Sequence, residues 1–300
     1  MRDLRPVLTA RRCAVLGSPV AHSLSPALHR AAYVELGLDW EYDAHEVRED
    51  DLSTFLDGLD ESWRGLSLTM PLKRAVVPML DEMSERAMQA RAANTVVLDG
   101  GARVGHNTDV PGVSAALRER HDGPVESATV IGGGATATSV LLALADLGCT
   151  AASLVVRDPS RAPETLDAVQ RHPAPPAVEV RTFDDLTAGR FPVGDLVAST
   201  VPAAAQTPEL VSACAEAAVV FEVVYDPWPT PLAAATLGPS AAGRVLVSGL
   251  DLLVHQAVLQ VELMTGRRPA VETLRAALPG WSGDLRGAHA VRPLTHRAGS

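Results

Sequence analysis

Cysteine is scarce and scattered, with Cys13, Cys149 and Cys214 the three in 300 residues. Their spacing builds neither a disulfide framework nor a ligand cluster, so reduced thiols in a cytoplasmic protein are expected and no metal site is predicted. Basic residues are outnumbered, 26 Lys and Arg against 36 Asp and Glu. The resulting formal charge of −10 excludes the basic face that a nucleic-acid binder carries. No apolar run approaches the roughly 18 residues of a membrane span. The opening Met1-Arg2-Asp3-Leu4-Arg5-Pro6 lacks the apolar core of a secretory leader. Internal repeats are absent. What the chain does have is 47% apolar residues, enough for two cores, and a length beyond one ordinary domain.

Alternating apolar runs and helical stretches predict an α/β protein. Cys13 to Gly17 reads as a first strand. Ser25-Pro26 then opens a helix, with Ser25 as its cap, that runs to Leu36 and stops at Gly37. Trp40 to Val47 and Gly65 to Thr69 read as strands, with a helix from Asp51 to Leu59 between them. This alternation implies a parallel layout. The pattern breaks at the charged stretch around Asp122-Gly123-Pro124. A second α/β unit follows, in which Ala128 to Gly134 is a strand running into a glycine-rich turn, Thr138 to Leu147 a helix and Ala152 to Val156 the next strand, with two further short apolar runs at Leu196 to Thr200 and Val219 to Val224. Gly249 to Leu263 forms a long amphipathic helix, and residues 281–300 read as a mobile tail. The expected division is a first domain over 1–118 joined by 249–280, and a second over 119–248. The two connections between them suggest a hinge.

Gly132-Gly133-Gly134-Ala135-Thr136-Ala137 follows the strand and precedes the helix. In that context Gly-x-Gly-x-x-Ala is a dinucleotide-binding turn: glycines admit a pyrophosphate to the backbone, and the helix N-terminus supplies amides and a positive dipole end. After the next strand, Arg157 and Arg161 flank Asp158. Guanidinium pairs suit the extra phosphate of NADP, whereas a carboxylate suits the free ribose of NAD. NADP is the expectation and NAD the alternative.

Two polar runs interrupt the apolar first domain. One, Ser67-Leu68-Thr69-Met70-Pro71-Leu72-Lys73, ends in a lysine; the other, Gly105-His106-Asn107-Thr108-Asp109, ends in an aspartate. Brought together, such a pair handles a proton at a substrate alcohol or carbonyl, the lysine exchanging it and the carboxylate fixing the lysine.

With these motifs assembled, the chain resembles the shikimate dehydrogenase family over nearly its whole length. Ser23-Leu24-Ser25-Pro26 is similar to the family's Ser-x-Ser-Pro, and the Lys73 run to its Asn-Val-Thr-x-Pro-x-Lys. Ala93-Asn94-Thr95 and the Asp109 run resemble two further signatures. Tyr225-Asp226-Pro227-Trp228-Pro229-Thr230-Pro231-Leu232 resembles Tyr-x-Pro-x-x-Thr-Pro-Leu, and Gly249 to Gln256 the start of the family's last long helix. The resemblance implies a two-domain α/β fold, an N-terminal substrate domain plus a Rossmann-type NADP domain. It implies reversible NADP-linked reduction of 3-dehydroshikimate to shikimate, on the chorismate route to aromatic amino acids, by a monomer or homodimer. It makes Lys73 and Asp109 catalytic and assigns the substrate to Ser23, Ser25, Thr69, Lys73, Asn94, Asp109, Tyr225 and Gln256. Ser199, Thr200, Val201 and Gly249 join the glycine turn and the two arginines in binding cofactor. This chain departs from the pattern at Ser67 for asparagine, Ala135 for glycine, Val156 for asparagine and Leu252 for methionine. A quinate or aminoshikimate dehydrogenase using NAD is the rival reading, which Ser25 in place of a threonine disfavours. A non-catalytic regulator that binds nucleotide or metabolite is the rival from another class.

Overall fold

A computed structural model describes residues 11–239 and 243–279; the expected tail at 281–300 lies outside the described residues. The chain divides into two compact units. One extends to Val113 and takes in Leu253–Leu278; the other is Ser114–Leu252.

The first unit carries β1 (Arg11–Gly17), α1 (Ser25–Leu36), β2 (Trp40–Glu46), α2 (Leu52–Asp57), β3 (Trp63–Leu68), α3 (Leu72–Ala75), β4 (Glu82–Met83), α4 (Glu85–Ala90), β5 (Thr95–Asp99) and β6 (Ala102–His106). Its sheet runs β2-β1-β3-β5-β6-β4. β1 pairs with β2 and β3 in parallel, but β5 is antiparallel to both β3 and β6. The wholly parallel layout expected from sequence is therefore corrected to a mixed sheet. Gly100 and Gly101, at φ 57° and 91°, make the two-residue hairpin that turns the chain back, a conformation glycine adopts without penalty. Val96-Val97-Leu98 ahead of Gly-Gly was a legible signal for it. Leu16, Leu52, Leu66, Leu72 and Val96 meet in the core on one face. Ser25 is not the cap of α1. Leu24 holds that position with no side-chain capping bond, and the Ser23 hydroxyl accepts the Ser25 amide at 3.3 Å instead.

The second unit begins within α5 (Asp109–Arg120) and continues through β7 (Ser127–Ile131), α6 (Ala135–Asp146), β8 (Ala151–Val156), α7 (Pro163–Gln170), β9 (Ala177–Thr182), α8 (Phe183–Thr187), β10 (Leu196–Ser199), α9 (Pro208–Ala213), β11 (Val219–Glu222), α10 (Pro231–Leu237) and β12 (Val245–Ser248). α11 (Gly249–Thr265) begins in this unit and returns to the first, where α12 (Val271–Ala276) follows. All strand pairs of this sheet are parallel, in the order β9-β8-β7-β10-β11-β12. That is the doubly wound dinucleotide-binding order, whose reversal between the first and fourth strands opens a crevice at their carboxyl ends. Here those strands are β7 and β10. The inner strands β7, β8, β10 and β11 are mostly buried because helices cover both faces. The edge strand β9 alternates apolar and charged residues, and α6 is buried without a break from Ala137 to Ala145.

Candidate active site and cofactor turn

In the first unit, the carboxyl ends of β1 and β3 and the adjoining ends of β5 and β6 collect the polar runs. Lys73 stands on the single turn of α3 just beyond β3; Asp109 opens α5 just beyond β6. The Lys73 ammonium donates to Asp109 Oδ2 at 2.6 Å. Asp109 is 1% exposed and the lysine side chain 14%, so the pair is largely desolvated, with the lysine toward solvent. Asn94 holds the other carboxylate oxygen, its Nδ2 donating to Oδ1 at 2.8 Å. The same amide reaches Thr108 Oγ1 at 2.9 Å and Gln256 Oε1 at 3.3 Å. Its carbonyl accepts the Thr108 amide at 2.8 Å and the Thr95 hydroxyl at 3.0 Å. A buried charge with a cation on one oxygen and an amide on the other keeps one geometry. Asn107 steadies the start of α5, accepting the Val110 amide at 3.1 Å and donating to Ala92 O at 3.1 Å.

Ser23 lies between β1 and α1, and Ser25 is the first residue of α1. Thr69, after β3, bonds through its amide to Leu16 O at 2.9 Å, and its methyl occupies the space a side chain at Gly17 would need. Lys73, Asn94, Asp109 and Gln256 are thus joined by direct bonds, and Thr69 follows the end of β3 four residues before Lys73. Tyr225 belongs to the other unit, in the turn after β11.

Ser67 stands out in the sequence as a departure from the family pattern, but its buried partners Tyr42, His29 and Gln260 were not singled out. Ser67, at the family's asparagine position, accepts the Tyr42 hydroxyl at 2.7 Å and donates to Gln260 Oε1 at 2.9 Å. The same oxygen takes His29 Nε2 at 3.1 Å. Burial pushes His29 down to about 3, so the ring is neutral, stacked on Tyr42 at 3.9 Å. The Ser67 hydroxyl is committed to this buried chain. Gln260 sits one helical turn beyond Gln256, the spacing that was its only sequence signal.

In the second unit, Gly132 follows β7 at φ 115°, and a side chain there would overlap Thr200 Oγ1. Gly133 faces Val156 and the Arg161 carbonyl, and Gly134 opens onto free space. Gly134 is the extended N-cap of α6, with no side-chain cap. The helix therefore starts at Ala135, three residues earlier than expected, with Thr136 and Ala137 in its first turn. The Thr200 amide and hydroxyl both donate to Ile131 O at 2.9 Å. This places Thr200 and Val201, which follow the last residue of β10, Ser199, directly against the glycine turn. A narrow glycine cradle, amides left uncapped by side chains and a space in front of Gly134 fit a dinucleotide pyrophosphate. Arg157 follows β8, and Arg161 ends a short 3₁₀ turn. Asp158 is engaged in that turn, its Oδ1 accepting the Ser160 amide at 2.9 Å; this bond holds its carboxyl below the ordinary range. Gly249 opens α11 where a side chain would overlap the Val223 carbonyl.

Two family models match: the shikimate dehydrogenase substrate binding domain over residues 15–96, and the shikimate 5'-dehydrogenase C-terminal domain over 249–278. A shikimate dehydrogenase (NADP(+)) of Moorella thermoacetica is 34% identical over 281 residues, 90% of this chain and 94% of that protein. The crystal structure of Mycobacterium tuberculosis shikimate dehydrogenase superposes with a TM-score of 0.79 at 38% identity, covering 89% of this chain and 98% of that one. Quinate dehydrogenase from Corynebacterium glutamicum, in complex with NAD, does so with 0.79 at 31%, covering 89% and 98%. Sequence likeness across nine tenths of the chain, a shared two-domain fold and a polar run ending in each of Lys73 and Asp109 agree: the chain belongs to the shikimate dehydrogenase family.

Proposed function

We propose that this protein is an NADP-dependent shikimate dehydrogenase, reversibly reducing 3-dehydroshikimate to shikimate on the chorismate route to the aromatic amino acids. The observation that carries the reading is the desolvated Lys73–Asp109 pair, 2.6 Å apart and braced by Asn94. In the reducing direction the Lys73 ammonium gives its proton to the oxygen of the former ketone. Asp109 keeps that ammonium in place and stabilises its charge until transfer. In oxidation the same nitrogen receives the alcohol proton. NADPH, when bound, supplies the hydride.

Around the pair, Thr69, Asn94, Asp109 and Gln256 read the ring hydroxyls, and Ser23, Ser25 and Tyr225 take the ring carboxylate through neutral donors. Such a site rejects analogues that leave a buried polar partner unpaired. Residues Gly132 to Ala137 hold the pyrophosphate and Arg157 and Arg161 the adenosine phosphate, with Ser199, Thr200, Val201 and Gly249 lining the nicotinamide end. The Asp158 carboxylate, bonded into its own turn, is diverted from a ribose. Its three cysteines, all free and buried, fit a cytoplasmic setting.

Likeness to a quinate dehydrogenase bound to NAD keeps one rival in view. Steady-state kcat/KM for shikimate and for quinate, each with NADP and with NAD, decides between them. Shikimate with NADP is expected to exceed every other combination by at least about tenfold, the worth of one charge-assisted contact. Arg157→Ala is expected to raise the KM for NADP by about tenfold and leave that for NAD unchanged. Equal or better turnover of quinate with NAD overturns the assignment.

A further inference from the structure

A carboxylate that the reaction does not use lies buried at the carboxyl edge of the parallel sheet. Glu222 ends β11, opposite Ser199 of β10 and Ser248 of β12, and is 0% exposed. Gln206 Nε2 donates to its Oε2 at 2.6 Å, and the Thr230 hydroxyl to the same oxygen at 2.8 Å. The Val224 amide donates to Oε1 at 3.0 Å. Each partner reaches further. Gln206 Nε2 also donates to Ser199 Oγ at 3.2 Å, and its carbonyl accepts the Leu232 amide at 3.0 Å. Thr230 caps α10 by accepting the Ala233 amide at 3.2 Å. One carboxylate thus ties together the end of β10, the turn that leads to Tyr225, and the start of α10.

We propose that Glu222 is a positioning residue for hydride transfer: its carboxylate clamps Ser199–Val201 against the glycine turn and fixes the Val223–Tyr225 turn, and protonation loosens both. The proposal rests on the reading of Ser199–Val201 as the nicotinamide-facing segment. Its physical basis is a count of donors. The Gln206 amide, the Thr230 hydroxyl and the Val224 amide donate to Glu222, the first two to one oxygen, and the Ser199 hydroxyl is a further partner that favours the charged form. A proton on Oε2 makes that oxygen a donor where Gln206 and Thr230 already donate, so one of those contacts must be lost or reversed. Burial pushes the carboxyl up to about 7, against the lowering effect of these bonds, which places the loosening within the working range. The titratable group facing it is the Cys214 thiol, itself pushed up to about 12 by burial and by Glu222. Arg244 bonds the Cys214 and Ala217 carbonyls. Beyond Ser248, Asp251 is met by Arg120 at 2.7 Å.

The test is the Kd for NADP+ between pH 5.5 and 8.5, range chosen to span about 7, in the wild type, Glu222→Gln, Glu222→Asp and Thr230→Val. The cofactor's own phosphate titrates near ~6 in all four and cancels in the comparison. Wild-type affinity is expected to fall as pH drops through about 7. Glu222→Gln is expected to bind roughly tenfold more weakly at pH 8 and to lack that inflection; Glu222→Asp restores it in part. Thr230→Val keeps the charge and removes a bond to it, so it moves the inflection to higher pH. The unfolding midpoint gives an independent check. A carboxyl raised from 4.5 to about 7 costs the fold stability as pH rises through that window, so the wild type declines there relative to Glu222→Gln. A lower midpoint for Glu222→Gln with an unchanged cofactor pH profile reduces Glu222 to a structural role and overturns the proposal. If Glu222→Gln does not fold, an unshifted inflection in Thr230→Val does the same. Wild-type turnover of shikimate with NADP+ tests the parent reading separately, since the binding titrations need no substrate.

Discussion

Lys73→Ala is expected to lower kcat by about 10²- to 10⁴-fold, the usual contribution of a positioned proton donor, while leaving the Kd for NADP+ within about twofold. The second half follows from the fold. The glycine turn and both arginines belong to a different compact unit from Lys73, and affinity for cofactor alone does not depend on the lysine. A structural penalty is expected alongside the kinetic one. Asp109 is 1% exposed, and without the ammonium its charge retains Asn94 but no cation. Breaking a buried pair from one side commonly costs about 3–5 kcal/mol; the partly exposed lysine places this case at the lower end. Asp109→Asn combined with Lys73→Ala removes the orphaned charge, so the double variant should recover stability without recovering turnover. Its kcat should match that of Lys73→Ala, because residues acting as one unit are not additive. An unchanged kcat in Lys73→Ala, or a double variant whose losses simply multiply, defeats the proton-transfer assignment.

How far the sequence reaches differs between the units. The four central strands of the parallel sheet, β8, β7, β10 and β11, were readable as short apolar runs, with Gly132 to Gly134 punctuating the first of them in the chain. The edge strands β9, with its alternating Glu179 and Arg181, and β12 were not. The mixed sheet was less readable. Asn94-Thr95 reads equally well as a turn, and only pairing with Ser67 and His106 makes Thr95 the first residue of a strand. Lys73 and Asp109 stood out because each closes a polar run, but nothing local shows that one amide, Asn94, spans to residues 14, 15 and 162 positions away. Long-range bonds leave no periodicity. Ser25 misled for the opposite reason: serine before proline is a strong helix-start signal, yet the helix begins one residue earlier and Ser23 takes the amide. Glu222 had a fainter signature, a lone acid at the end of Val-Val-Phe in a strand otherwise buried. A charge in that setting is tolerated only with partners, and those partners lie 8 and 16 residues away.

Gly132→Ala and Gly134→Ala, two residues apart, are expected to fail in different ways. Gly132 sits at φ 115°, and a methyl there would overlap the Thr200 hydroxyl and stand 3.3 Å from Val201 Cγ1. Backbone strain and overpacking each cost about 1–3 kcal/mol. The expected loss is therefore about 2–6 kcal/mol, a fall in the unfolding midpoint of roughly 5–20 °C. Cofactor affinity should fall with it, since the Thr200 segment must move. Gly134 has φ −88° and ψ −177°, which alanine adopts freely, and nothing lies within 4 Å of the added methyl. Its only structural penalty is that of an alanine at a helix N-cap, about 1 kcal/mol or less. Yet the glycine turn works by letting a pyrophosphate approach the backbone, and the methyl projects into the open space in front of α6. Gly134→Ala should therefore keep its midpoint within a few degrees while the Kd for NADP+ rises about tenfold or more. Unchanged affinity in a folded Gly134→Ala would mean that the phosphates do not approach that turn, and the cofactor site would have to be sought elsewhere on the sheet edge.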